Sequence, residues 1–125
     1  MLNCSFPKSE KLVSEKVIKE LFQKGVSAYL YPFRVLSLPA AMPVALPQVV
    51  FTVPKRQFKR AVVRNRLKRR VREAYRLHKA TFFAQFPPGS VPASLAILYI
   101  AKEEQPFDFI QKKLTLVLQK IVPRE

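Results

Sequence analysis

The chain has 125 residues and a formal net charge of +15, from 23 Lys or Arg residues against 8 Asp or Glu residues. This length suits a single domain, residues 1–125, and an apolar fraction of 49% excludes a chain that is disordered throughout. So large a positive charge exceeds what solubility requires and predicts a polyanionic partner.

Cysteine content and hydropathy give two expectations about the surroundings of the protein. Cys4 is the only cysteine, so no disulfide can form within the chain, and no signal-peptide pattern is present. Both observations favour the reducing cytoplasm. The longest apolar stretch, residues 36–51, is interrupted by three prolines, so we expect no transmembrane helix. Acidic phospholipid is another polyanion that would fit the charge, but the basic helix lacks the bulky apolar face of an interfacial anchor, so we expect no membrane partner.

The first predicted elements are an extended arm over residues 1–13 and a short helix. Phe6 and Leu12 are the expected anchors of the arm. Ser14 is expected to cap the helix at its N-terminus, and Gly25 to end it as the C′ residue. The apolar face of this helix consists of Val17, Ile18, Leu21 and Phe22.

Residues 27–38 alternate as a β-strand does, which places Tyr29 on the side of Phe33 and leaves Arg34 on the other side among apolar neighbours. Pro32 predicts an edge position or a bulge, with a division into two short strands as an option. Two explanations of Arg34 remain open, a groove that receives an anion and a charge that protects an edge strand.

Continuous apolar runs at residues 48–53 and 95–101 predict two further strands, the first central and covered and the second buried. Pro106 suits the first turn of a last helix, where Asp108 favours the helix dipole. With three strands before the basic helix, the order is α-β-β-β-α-β-α. This order predicts an α/β sandwich, in which helices pack on a small central mixed sheet.

The stretch from Lys55 to Lys79 contains 12 Lys or Arg residues and one acidic residue, Glu73. Within it, apolar positions recur with the period of a helix, at Val63, Leu67, Val71, Ala74 and His78. The opposite side is cationic. Solvated helix faces mix both signs, because like charges three or four residues apart repel each other. Eight arginines, whose planar groups match phosphate, therefore indicate contact with nucleic acid.

The run from Arg64 to Tyr75, RNRLKRRVREAY, follows a strand at residues 49–53 and a Lys55-Arg56 step. This combination resembles the RNR signature of the bacterial ribonuclease P protein component, and a weaker resemblance extends from Phe6 to Ile121. It implies a protein subunit that binds the catalytic RNA and the 5′ leader of precursor tRNA, and assists removal of the leader. It also implies that the RNA subunit and its Mg²⁺ ions perform catalysis, with no cofactor on the protein and no protein partner.

The resemblance further implies a left-handed crossover around the basic helix, whereas the general rule for such units gives a right-handed one. It assigns two sets of site residues. Those expected to bind RNA, in the basic loop and helix of residues 55–79, are Lys55, Arg56, Lys59, Arg60, Arg64, Asn65, Arg66, Lys68, Arg69, Arg72 and Arg76. Those expected to line a cleft for the leader are Ile18, Phe22, Arg34 and Leu36, of which Ile18 and Leu36 replace aromatic residues frequent in the family.

Side chains for protein-based catalysis are scarce. His78 is the only histidine and lies in the apolar stripe, where a core or boundary role is expected. Gly25 and Gly89 are the only glycines, so no phosphate-binding glycine loop can be formed. The sequence therefore predicts no catalytic residue and no metal site in this chain.

Two other functions fit the charge. A basic ribosomal or RNA-assembly protein would explain it equally well, but would leave the RNR pattern unexplained. A DNA-binding domain with the basic helix in a major groove fits less well, because buried strands flank this helix rather than a partner helix and turn.

Overall fold

The computed structural model describes residues 10–44, 46–87 and 89–122. Cys4 and Phe6 lie outside these ranges. The elements are α1 (Glu15–Lys24), β1 (Val26–Leu30), β2 (Phe33–Leu38), β3 (Gln48–Thr52), α2 (Ala61–Phe83), β4 (Ser94–Tyr99) and α3 (Phe107–Gln119). This order confirms the predicted α-β-β-β-α-β-α arrangement.

The four strands form one mixed sheet in the order β1-β2-β4-β3. β2 pairs antiparallel with both β1 and β4, whereas β3 and β4 are parallel neighbours joined through α2. The hand of that crossover stays a prediction. β4 is central in the sheet and almost entirely buried, which confirms the predicted burial. The expectation that β3 is central is wrong, because β3 ends the sheet order and pairs with only one other strand.

β3 is covered only in part: Val49 is buried, residues 50–52 are half-buried and Gln48 is exposed. Val49 is 2% exposed, and the residues of the arm that are described lie along the outer edge of β3. Lys11 forms a parallel bridge with Val49, and the backbone N–H of Leu12 donates to the Val49 carbonyl at 2.9 Å. An apolar run thus does not fix a strand's place in the sheet.

Helices cover both faces of the sheet, but unequally. α2 and α3 pack on one face over the larger core, which includes Leu67 and Tyr75 from α2. α1 covers the other face over a small cluster of Leu12, Leu21, Leu36 and Ala96. Much of the α1 side of the sheet therefore remains accessible.

The β1–β2 hairpin confirms the division at Pro32 and corrects the predicted side of one aromatic residue. Tyr29 is the cross-strand partner of Arg34. Directly opposed residues project from the same face of a sheet. Tyr29 hence lies on the face of Arg34 rather than on that of Phe33, because the chain reverses and the alternation starts anew after the turn.

The structure confirms the predicted start of α1 and corrects the prediction for its end. Ser14 is the N-cap as predicted, and its Oγ accepts a hydrogen bond from the Val17 N–H at 3.4 Å. Gly25 occupies the C-cap with φ −65° and ψ 146°, so its assignment as a left-handed C′ residue is wrong. A glycine is still required there, because a Cβ atom would lie 2.4 Å from the Leu21 carbonyl oxygen.

The packing of α2 predicts a large difference between two leucines of the same helix. Leu67 is fully buried, whereas Leu77 is 41% exposed. We expect Leu67→Ala to lower the free energy of unfolding by about 2–5 kcal/mol, because it leaves a cavity. Leu77→Ala is the matched control and should cost under about 1 kcal/mol. Equal losses in urea unfolding would contradict the packing described here.

Candidate nucleic-acid interface

The side of α2 that faces away from the sheet carries exposed polar residues at helical spacing. Because Leu67 and Val71 are buried against the sheet, residues on the opposite side of the helix project into solvent. Asn65, Arg69 and Arg72 are exposed in this way. Lys68 lies beside them and is half-buried.

The loop before α2 adds four cations to the same end of the helix. Lys55, Arg56, Lys59 and Arg60 are all exposed. Phe58 anchors the loop, since its ring is 9% exposed and its centroid lies 5.9 Å from that of Tyr99. The basic loop is therefore attached to the core through a residue in its middle.

Arg64, the first arginine of the RNR run, is directed into the protein. Its Nη1 donates to the carbonyl oxygens of Phe58 at 2.7 Å and Lys59 at 2.9 Å. The guanidinium thus fixes the backbone of the basic loop against the first turn of α2. This geometry gives Arg64 a positioning role in addition to any contact with RNA.

Two further arginines of α2 converge on a carboxylate that the sequence analysis did not single out. Arg66 donates through Nε and Nη2 to the two oxygens of Glu104. Arg70 Nη1 lies 3.1 Å from Glu104 Oε2 and donates to the Gln105 carbonyl at 2.8 Å. The hydrogen bond from Arg66, reinforced by both positive charges, holds the pKa of Glu104 below its ordinary value.

Arg76 is paired within its own helix, with Nη2 located 2.5 Å from Glu73 Oε1. The hydrogen bond from Arg76 lowers the pKa of the Glu73 carboxyl. By contrast, within the described ranges no carboxylate pairs with Arg69, Arg72 or the four loop cations. The basic loop and the outer side of α2 therefore carry six cations without a carboxylate partner among the described residues.

A groove of about 190 Å³ runs between α2 and the edge of β3. Its apolar part includes Val13, Val50 and Phe51, and its cationic side includes Lys68 and Arg72. Apolar surface next to guanidinium and ammonium groups suits nucleic acid, whose bases stack while its phosphates pair with cations.

On the opposite face of the sheet, the structure brings Arg34 together with Tyr29. The Arg34 guanidinium carbon lies 5.4 Å from the centre of the Tyr29 ring, which is 55% exposed. Arg34 Nη2 donates to Ser27 Oγ at 3.4 Å, while Nε finds no acceptor among the described residues. The alternation in the sequence did not place Tyr29 beside Arg34, because the face on which Tyr29 lies depends on the position of the hairpin turn.

The other predicted cleft residues divide into an exposed one and two that pack together. Phe22 is 47% exposed, so it contributes to the surface rather than to the core. Ile18 is half-buried and contacts the small cluster beneath α1. Leu36 is 1% exposed and belongs to that cluster, so it supports α1 and offers no accessible surface, contrary to expectation.

Three findings concern His78, metal ligands and membrane-spanning helices in the described part of the chain. His78 is half-buried, and its Nε2 lies 2.9 Å from Gln111 Oε1, in agreement with a boundary role. No group of three or more His, Cys, Asp or Glu side chains there could hold a metal ion. None of its helices is both long and apolar enough to cross a membrane.

A basic helix on a small mixed sheet, with cations left open along its outer side, defines an α/β protein of the nucleic-acid-binding class. Residues 6–122 match the Ribonuclease P family model. The ribonuclease P protein component of Porphyromonas gingivalis is 34% identical over 115 residues, which cover 91% of this chain and 84% of that relative. The chain therefore belongs to the family of ribonuclease P proteins.

Solved structures share the fold. The RNase P protein of Staphylococcus aureus superposes with a TM-score of 0.74 at 20% identity, covering 93% of this chain and all of that one. The RNase P protein from Thermotoga maritima gives 0.70 at 25% identity, covering 89% and 96%. The family match favours this assignment over a ribosomal or assembly protein and over a DNA-binding domain.

The inward contacts of Arg64 lead to a stability prediction. Replacing Arg64 with Gln removes charged donors from two loop carbonyls, and we expect a loss of about 1–3 kcal/mol in the free energy of unfolding. Arg69→Gln, an exposed change on the same helix, should alter it by less than about 0.5 kcal/mol. Chemical unfolding measures both, and an Arg64 variant as stable as the Arg69 variant would refute the positioning role.

Proposed function

We propose that this chain is the protein subunit of ribonuclease P, which binds the catalytic RNA subunit and the 5′ leader of precursor tRNA. In this role it assists the endonucleolytic cut that gives the mature 5′ end of the tRNA. The observation that carries the proposal is the open cationic ridge of the loop and α2, defined here as Lys55, Arg56, Lys59, Arg60, Arg69 and Arg72, in a chain of this family.

The ridge fits an RNA backbone for electrostatic reasons. Each Lys or Arg that contacts a phosphate releases condensed counterions, so binding is strong at low salt and weakens steeply as salt is added. Arginine also supplies two parallel donors that match two phosphate oxygens. The loop is anchored through Phe58 and Arg64, and α2 is packed on the sheet, so both present these donors at fixed spacing, which favours a structured RNA over a flexible one.

The catalytic chemistry belongs to the RNA subunit and its Mg²⁺ ions in this proposal. The carboxylates nearest the ridge are already engaged, since Glu104 and Glu73 pair with arginines and Glu103 accepts from the Tyr31 hydroxyl at 2.7 Å. This arrangement supports a role in which the protein binds, orients and neutralises phosphates.

The leader is assigned to the α1 side of the sheet. Phe22 and Tyr29 offer exposed rings, and Arg34 adds a cation beside the Tyr29 ring. Single-stranded bases stack on such rings without strict sequence preference. This side would therefore contact a leader of any sequence, and it would have no role in binding tRNA that lacks one.

A reconstitution assay tests the proposed function. The purified chain alone should leave precursor tRNA uncut, and together with a bacterial ribonuclease P RNA it should restore cutting at low Mg²⁺ concentration. The physical reason is that cations from the protein reduce the repulsion between the two RNAs. The measurement is the initial rate of 5′-leader release at several Mg²⁺ concentrations.

Two results would overturn the proposal. One is metal-dependent cutting at the mature 5′ end by RNA-free protein. The other is an unchanged Mg²⁺ requirement of the RNA subunit when the chain is present at saturating concentration. Lysozyme, an unrelated basic protein at the same concentration, controls for charge alone.

A double variant tests the leader side. Phe22→Ala with Arg34→Ala should weaken binding of precursor tRNA to the holoenzyme about tenfold or more, because each stacked base contributes roughly 1–3 kcal/mol. Binding of mature tRNA should stay nearly constant. Leu116→Ala, another exposed apolar residue at 39% exposure, is the control and should change neither affinity. Equal losses for both tRNAs would remove the leader from this side.

A further inference from the structure

The pairing of Arg66, Arg70 and Glu104 is unexpected on a surface that binds polyanions. Three N–H donors from two arginines converge on one carboxylate, and both oxygens of Glu104 accept. The same donor array would hold two oxygens of a phosphate group. Glu104 therefore occupies a site whose geometry is that of an oxyanion site.

The contribution of this pairing to the stability of the fold is too small to explain it. The side chains are 45% exposed for Arg66, 29% for Arg70 and 27% for Glu104. Ion pairs in such exposed positions contribute little to folding and are screened by salt. The structure nevertheless pairs two of the helix cations with one acidic residue, which offsets half of their charge.

The loop that carries Glu104 is anchored on both sides of it. The Tyr99 hydroxyl donates to the Glu103 carbonyl at 2.6 Å and accepts from the Gln105 N–H at 3.0 Å. Burial raises the pKa of Tyr99 to about 12, so this hydroxyl stays protonated and can donate. The Gln105 side chain also donates to the Tyr31 hydroxyl at 3.2 Å. The backbone is thus fixed, while the Glu104 carboxylate reaches outward over the helix.

Space for a larger anion lies beside the pair. A shallow groove of about 380 Å³ is lined by Arg66, Arg69, Arg70, Glu73 and Phe107. Arg69 belongs to the open cationic ridge, so the groove connects that ridge with the paired arginines. A strand of RNA that follows the ridge would pass next to the carboxylate.

We propose that Glu104 is an internal substitute for an RNA phosphate on Arg66 and Arg70, and that ribonuclease P RNA displaces it on docking. This proposal rests on the proposed function. Before docking, the carboxylate holds both guanidinium groups in the orientation that a phosphate needs. It also competes with the RNA, so only an RNA that places a phosphate between these arginines gains their contacts.

The test compares Glu104→Gln with Glu103→Gln. Both changes remove one negative charge from the same loop, but Glu103 accepts from the Tyr31 hydroxyl and pairs with no arginine among the described residues. We expect Glu104→Gln to tighten binding of a bacterial ribonuclease P RNA by about 2- to 10-fold, because the competitor for two exposed arginines is lost. Glu103→Gln should change the affinity by less than about twofold.

The salt dependence of binding distinguishes two cases: RNA displaces Glu104 from the arginines, or Glu104 stays in place and keeps the arginines away from RNA. If RNA displaces Glu104, the number of phosphate contacts is the same with and without this carboxylate, and the slope of log K against log salt stays constant. A slope steeper by about 0.7–0.9 or more for Glu104→Gln would mean that the carboxylate keeps both arginines away from RNA, which would overturn the proposal. Unchanged or weaker binding would overturn it as well.

A second background makes the result specific to these arginines. In an Arg66→Gln, Arg70→Gln protein, Glu104→Gln should no longer tighten binding, whereas a gain that persists there would refute the proposal.

Arg69→Gln with Arg72→Gln, measured in the same assay, tests the proposed function itself. If that pair weakens binding while Glu104→Gln has no effect, the proposed function stands and the role of Glu104 falls. If neither changes binding, the proposed function fails too.

Discussion

The packing of the apolar side of α2 against the sheet is the constraint on which the rest of the structure depends. Leu67, Val71 and Ala74 are almost fully buried, and the Tyr75 ring meets Phe51 of β3 edge-on at 5.6 Å. An isolated helix with this many arginines would be unstable, because like charges on adjacent turns repel. Burial of the apolar side offsets that repulsion, and it also determines which cations face solvent. Stability and function thus lie on opposite sides of the same helix.

The arginines of α2 have different partners within the protein, so they are not equally available to an external anion. Arg64 donates to loop carbonyls, and Arg76 pairs with Glu73. Arg66 shares Glu104 with its neighbour Arg70. An external anion has to compete with these internal acceptors. The cations of the open ridge, from the basic loop to Arg72, have no carboxylate partner among the described residues and are available without such competition.

The sequence predicts the features that depend on near neighbours in the chain. The period of α2, the N-cap at Ser14 and the order of elements all follow from residues a few positions apart, and all three are confirmed. Features that depend on distant residues could not be predicted in this way. Glu104 meets Arg66 across 38 positions, and the face of Tyr29 depends on where the hairpin turns. The burial of Leu36 likewise depends on where α1 packs.

A sheet with helices on both faces allows one small domain to contact two RNA segments at once. α2 and its cationic ridge lie on one side of the sheet, while Tyr29, Arg34 and α1 lie on the other. A large RNA docked on the ridge would leave the α1 side open, because the sheet and its core separate the two surfaces. A single strand held there would meet the exposed rings of Phe22 and Tyr29, together with Arg34 and the exposed α1 lysines Lys16, Lys19 and Lys24, so stacking and phosphate pairing are both available. Exposed rings distinguish the α1 side from the ridge, which consists of cations. The two surfaces therefore differ in chemistry as well as in position, as binding of a structured RNA and of a flexible leader by one protein would require.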